Sequence, residues 1–326
     1  MTTYKDIRGT HIKTVTTDPP APVNGQMWYN STTQIMKGFT SNPAGAWASG
    51  TAINTARLYI GGSGTVSAGL AWGGQTGPGT KVGNTESWSG SSWTEVNDLN
   101  TGRRSFGGTG TQTAAITAGG TGPSPTQAET ETWNGSSWTE VTDMNTAKTN
   151  FWTSRGSTTV MLVFGQPTTE SYNGSSWTEV ADVNTIKAQG AGSGADNTSA
   201  LAFGGYDPSP AATATTELWN GSSWTEVNDL NVARGNIAGV GTATSALAFN
   251  GYNSGLSPTY PLDTEEWNGT SWTEKSNFSA NRAAGGSFGT AEAAFLIGGS
   301  PPSGGGLTTV EEWTAPVNTT VTFTAS

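Results

Sequence analysis

The string at residues 131–141, ETWNGSSWTEV, returns in near copy at 86–96, 170–180, 217–227 and 265–275. A chain that repeats one segment at intervals of roughly 45 residues is an array of like units. Its fold must therefore bury the same face of each unit against the next. Within the string, two aromatics flank Asn-Gly-Ser-Ser, which reads as two strands joined by a tight turn. Asn-Gly is expected to supply the φ > 0 residues of that turn.

Working outward from the hairpin defines the whole unit. From residue 53 onward each unit opens on a segment like Asn-Thr-Ala-Arg, with a basic residue at Arg57, Arg103, Lys148, Lys187, Arg234 or Arg282. A small-residue strand follows, as at 106–110 (FGGTG) and 237–241 (IAGVG). Next comes an apolar strand ending in glycine, as at 70–74 (LAWGG), 115–120 (AITAGG) and 294–299 (AFLIGG). A loop of variable length precedes the third strand, which carries Trp88, Trp133, Tyr172, Trp219, Trp267 or Trp313. The fourth carries Trp93, Trp138, Trp177, Trp224 or Trp272. Small inner strands suit a crowded axis, and Trp-rich outer strands fill the widening wedges between units. The pattern predicts an all-β fold, a β-propeller of four-stranded antiparallel blades. A β-solenoid is the alternative, with repeats that are usually shorter. Apolar residues are only 33% of the chain while glycine numbers 46 and tryptophan 14, so aromatics and small residues must build the core.

Six inner pairs and six third strands face only five fourth-strand tryptophans. After Trp313 the expected position holds Asn318, and the missing partner is Trp47, in the segment 45–50 (GAWASG). Six blades are therefore expected, with an N-terminal strand bearing Trp47 beside the Trp313 strand. That closure removes the open sheet edge. A seventh blade would need residues 26–39 to form most of it. Residues 1–44 are expected to be an extended leader with a short hairpin at 26–39, after a linker-like stretch at 16–22 (TTDPPAP), and residues 45–326 the propeller. The alternating tail at 321–325 (VTFTA) fits either the last blade or the 26–39 hairpin.

The unit resembles the kelch repeat, in which a basic residue, a strand ending in a Gly pair, a Tyr-type aromatic and a later Trp occur in order. Arg103, Gly119-Gly120, Trp133 and Trp138 match that order. Two units depart at the pair, with Gly165-Gln166 and Asn250-Gly251. The resemblance is specific for fold and weak for function. Residues 15–39, with DPPAPV and GQMWYNSTT, are similar to the N-terminal stretch of structural proteins from tailed phages of marine bacteria. This resemblance implies a non-enzymatic virion protein of tail, fibre or capsid decoration, made in a host bacterial cytoplasm. It implies attachment to other virion proteins through residues 1–44, and assembly or adhesion to a host-surface glycan or protein through the variable loops. The alternatives are a propeller lectin with sugars between blades on exposed tryptophans, and a glycan-degrading enzyme.

Chemistry-bearing motifs are sparse. His11 is the only histidine, which excludes histidine triads and multi-histidine metal sites within one chain, and cysteine is absent. No cofactor or metal is expected. The Gly pairs lack the Lys-Ser/Thr of a phosphate loop, and Asn-Gly-Ser is explained by the turn rather than by glycosylation. A net charge of −10 argues against nucleic acid and anionic membranes. No apolar run reaches the ~18 residues of a membrane span, and the first residues lack an apolar signal-type stretch. Homo-oligomers stay open.

The hairpin register pairs Glu86 with Glu95, Glu131 with Glu140, Glu170 with Glu179, Glu217 with Glu226 and Glu265 with Glu274. Opposed like charges destabilise a sheet. Compensation by the recurrent Arg/Lys or by amides of the next blade is expected. Rim exposure, calcium or glycosidase chemistry are the other readings. The second-to-third loops vary and share a face with connections bearing Asp98, Asp143, Asp182 and Asp229, acids without EF-hand order. Tyr206, Asp207, Tyr252 and Tyr260 on this face are the candidate ligand-binding residues.

Overall fold

A computed structural model describes residues 12–23, 25–42, 45–153, 156–165 and 168–323. His11, Gln166 and Pro167 lie outside the described residues. The chain divides into two compact units, residues 46–314 and residues 1–45 with 315–326. Among the described residues no helix is long and apolar enough to cross a membrane.

The larger unit holds six four-stranded antiparallel sheets. Their first strands neighbour one another in a closed cycle, from Gly61–Thr65 through Gly107–Gly110, Trp152–Thr153, Ala191–Gly194, Ala238–Gly241 and Gly286–Gly289 back to Gly61–Thr65. This is a six-bladed β-propeller. The sixth blade takes its outer strand from Ala46–Gly50, with Trp47 opposite Trp313. A strand from before the first blade thus closes the ring, as the tryptophan count required.

The wedges show why each blade ends in tryptophan. Trp133 and Trp138 lie opposite each other, ring centroids 5.6 Å apart. Trp72, on the second strand of the preceding blade, reaches to 5.4 Å of Trp138. Phe164 meets Trp224 and Phe203 meets Trp272 in the same way, both at 4.9 Å. Trp47 fills this role in the closing blade, 5.0 Å from Phe249 and 5.5 Å from Trp313. Aromatic pairs of this kind add about 0.5–1.5 kcal/mol each beyond their area. The fourth-strand indole N–H groups are also placed. Trp138 donates to Thr85 Oγ1, Trp272 to Thr216 Oγ1 and Trp47 to Thr264 Oγ1, each in the preceding blade.

One local expectation is corrected. In the third-to-fourth turns only the glycine is left-handed, with Gly135 at φ 95°. Asn134 instead accepts from the amides of Ser136 and Ser137 through its side chain, an Asx turn. At the second-strand ends the left-handed backbone is general: Gly119 has φ 61° and Gly120 φ 101°. A Cβ on Gly119 would come within 2.9 Å of the Lys148 carbonyl of the next blade. The fifth blade manages with Asn250 at φ 56°, its Oδ1 accepting from Ala238 N at 2.9 Å.

The expected propeller boundary of 45–326 is also corrected, because the ring ends at Thr314. The strand Val317–Phe323 pairs with Ile35–Asn42, giving a sheet with Met27–Asn30 and Lys13–Val15. Lys13–Val15 lies parallel to Met27–Asn30. Asp18 ties this small sheet together. Its carboxylate accepts from Lys37 at 2.5 Å, Asn30 at 2.8 Å and Trp28 at 2.9 Å. The hydrogen bond from Lys37, with those of Asn30 and Trp28, pulls the Asp18 pKa down to about 2. A carboxylate held below its unfolded value stabilises the fold above that value and loses the contribution as pH falls through the folded one. Hydrogen exchange of the 27–39 amides should stay slow down to about pH 4 and quicken as pH falls toward 2. Asp18→Asn should abolish that pH dependence.

Candidate functional site

The recurrent basic residue and the third-strand glutamate form a buried ion pair in every blade. Arg57 meets Glu86 at 2.6 Å, Arg103 meets Glu131 at 2.7 Å, and Lys148 meets Glu170 at 3.0 Å. Lys187–Glu217, Arg234–Glu265 and Arg282–Glu311 complete the set at 3.5, 3.0 and 2.7 Å. Each glutamate also caps the connection leading into its own blade. Glu131 accepts from the amides of Asn100 and Thr101 and from Asn100 Nδ2. The compensating amides thus come from the same blade, where the next blade was expected. The opposing Glu95, Glu140, Glu179, Glu226 and Glu274 are exposed. Compensation and rim exposure therefore each apply to one member of a pair.

Burial pushes the Lys148 and Lys187 ammonium groups below the ordinary lysine range, against the pull of Glu170 and Glu217. Burial likewise lowers Arg57, Arg234 and Arg282. These groups are structural locks, because each is enclosed and engaged within its blade. The loop aspartates are engaged too. Asp98, Asp143, Asp182 and Asp229 accept from the amides of Thr85, Thr130, Thr169 and Thr216. Among the described residues, no three His, Cys, Asp or Glu side chains gather as metal ligands.

Two residues beyond each basic residue lies the feature that repeat reading misses. Tyr59, Ser105, Asn150, Gln189, Asn236 and Ala284 all have left-handed backbones, with φ between 49° and 57°. They line one mouth of the central channel, one per blade. Their backbones join neighbouring blades. Tyr59 N donates to Ala284 O at 2.7 Å, and Ala284 N to Asn236 O at 3.0 Å. Asn150 N donates to Ser105 O at 3.0 Å, and Gln189 N to Asn150 O at 2.9 Å. A left-handed residue with a Cβ costs roughly 1–2 kcal/mol, asparagine being the best tolerated. A chain with 46 glycines has placed none at these six positions. The side chains are retained against the backbone preference, and strained positions of this kind cluster at functional sites.

Those side chains make a polar rim. Gln189 donates to Asn150 Oδ1 at 3.2 Å, and Arg104 stacks 5.4 Å over the Tyr59 ring while donating to Gln75 Oε1 at 2.6 Å. Beneath the rim Ile60, Phe106, Phe151 and Ile237 form an apolar collar, and the open recess at the mouth measures about 110 Å³. No Asp or Glu is among the described residues lining it.

The four candidate loop residues are placed differently from one another. Tyr206 lies over Gly235, beside the rim residue Asn236, and its hydroxyl donates to Tyr252 O at 3.1 Å. Burial raises the Tyr206 pKa well above the phenol range, opposed by a hydrogen bond with Asn236. Tyr252 and Tyr260 meet edge to face at 5.0 Å. The three tyrosines are thus brought together beside the mouth. Asp207 turns away into its own loop, accepting from Ser209 N and Ala211 N, both at 2.9 Å. The paired blade tryptophans from Trp88 to Trp313 are buried, so none offers a sugar-stacking face between blades.

No family model matches the chain, and no curated protein matches it. Among solved structures 258 chains match. One of them, described as the structure of YjhT, gives a TM-score of 0.67 at 11% identity, covering 82% of this chain and 99% of its own. At that identity the likeness shows the fold alone, and the class it shows is the β-propeller.

The rim conformation makes a stability claim. Ser105→Gly should raise the unfolding free energy by about 1 kcal/mol through relief of the left-handed backbone. Urea titration followed by tryptophan fluorescence checks the sign.

Proposed function

We propose that this chain is a non-enzymatic recognition protein of a tailed-phage virion, built on a kelch-type repeat. In this reading the loop face with the channel mouth contacts the host surface, and the smaller unit attaches the propeller to its particle. The observation that carries the reading is the rim, where six positions of one conformation hold five different residue types beside an ion pair that recurs in every blade. A recurring frame that carries divergent residues at one place in every blade is a scaffold that presents a pattern. The separate sheet containing residues 13–42 and the phage-like text of residues 15–39 support the attachment role.

Glycan cleavage fits less well. Retaining hydrolysis requires two free carboxyls about 5 Å apart. In each glutamate pair one member is locked by Arg or Lys, and the lining of the mouth supplies none.

Immunogold electron microscopy of intact particles, using an antibody raised against residues 46–314, tests the reading. Labelled tails, fibres or capsids are expected. Label confined to the cytoplasm of infected cells, with bare particles, would overturn it.

A further inference from the structure

We propose that the channel mouth binds a neutral terminal sugar residue that carries an acetyl or methyl group. This rests on the recognition reading above and names its ligand. The rim offers the amides of Asn150, Gln189 and Asn236 with the hydroxyls of Tyr59 and Ser105. An amide presents a donor and an acceptor together, and a sugar hydroxyl needs both. Among the described residues lining the pocket there is no cation or carboxylate, which suits an uncharged ligand. Arg104, the nearest guanidinium, is committed to Gln75 and to the Tyr59 ring.

Depth selects the substituent. One layer below the rim the wall turns apolar at Ile60, Phe106, Phe151 and Ile237, while Gly190 and Gly285 leave the remaining two blades open. The collar's side chains offer a hydroxyl no hydrogen-bond partner. A methyl or acetyl group fits, and its ring hydroxyls stay level with the amides. The left-handed rim adds rigidity, since each amide side chain stands on backbone bonded to the next blade. Tyr206, bonded to Asn236 and to the Tyr252 carbonyl, buttresses one side as a positioning residue.

The test uses the full chain and calorimetric titration with methyl glycosides of N-acetylglucosamine, N-acetylgalactosamine, fucose, rhamnose, glucose, galactose and glucuronic acid. At least one acetylated or deoxy sugar should bind about tenfold more tightly than glucose and galactose. Asn150→Gly and Gln189→Gly should each weaken that binding about tenfold, the loss of a hydrogen bond. Because glycine suits the left-handed backbone, the unfolding temperature of these variants should hold or rise. Loss of binding with the fold intact thus separates recognition from architecture. A panel in which nothing binds, a preference for glucuronate, or binding that survives both substitutions would each overturn the site. Labelling of host cells by the fluorescent chain separates this inference from the reading beneath it. Cells labelled equally by the wild type and both variants leave adhesion standing and remove the sugar site. Sugar binding without cell labelling removes adhesion and keeps the site.

Discussion

The buried cation–carboxylate pair is the constraint on which the propeller depends. An ion taken out of water costs several kcal/mol, and a buried pair is weak evidence for net stability. Its value here is geometric. Arg103 and Asn100–Thr101 all converge on Glu131, so one carboxylate fixes both the third strand and the connection that leads to the first. Two residues after Arg103, that connection delivers Ser105 to the channel mouth in a left-handed turn. The same arrangement in all six blades sets the rim as a ring. Breaking any pair would leave a buried charge uncompensated, at about 3–5 kcal/mol.

The outer half of each blade solves a different problem. Sheets that radiate from an axis diverge, and the gap must be filled. Paired tryptophans fill it; the fourth-strand Trp138 and Trp272 donate to the preceding blade, and the third-strand Trp133 and Trp267 within their own. The closing strand obeys the same rule, since Trp47 meets Phe249, Trp313 and the hydroxyl of Thr264. Closure and wedge packing are thus one device.

Much of this was legible because the repeated residues are the architectural ones. Trp133 and Trp138 announce a hairpin, Arg103 and Glu131 recur at fixed places, and the absent sixth tryptophan identified Trp47. The rim was not legible for the opposite reason. Tyr59, Ser105, Asn150, Gln189, Asn236 and Ala284 share a backbone conformation and no single residue type, so a search for repeated letters passes over them. Their one signal was a fixed offset from the basic residue, at a position where a left-handed turn would ordinarily carry glycine. Nothing in Lys13–Val15 marks it as a strand either, because its three residues pair in parallel with a segment that lies beyond a Pro-rich stretch. The loop tyrosines were visible as candidates, but only folding brings Tyr206 against Asn236.

The central claim is that the ion pairs of the frame hold the rim in place. Amide hydrogen exchange at Asn150, whose N–H bonds to Ser105 O, measures that hold at the blade governed by Arg103 and Glu131. In Glu131→Gln the account predicts that the Asn150 amide exchanges at least about tenfold faster, outpacing any change in the amides of Ala115–Gly120. Protection of Asn150 equal to that in the wild type would contradict it.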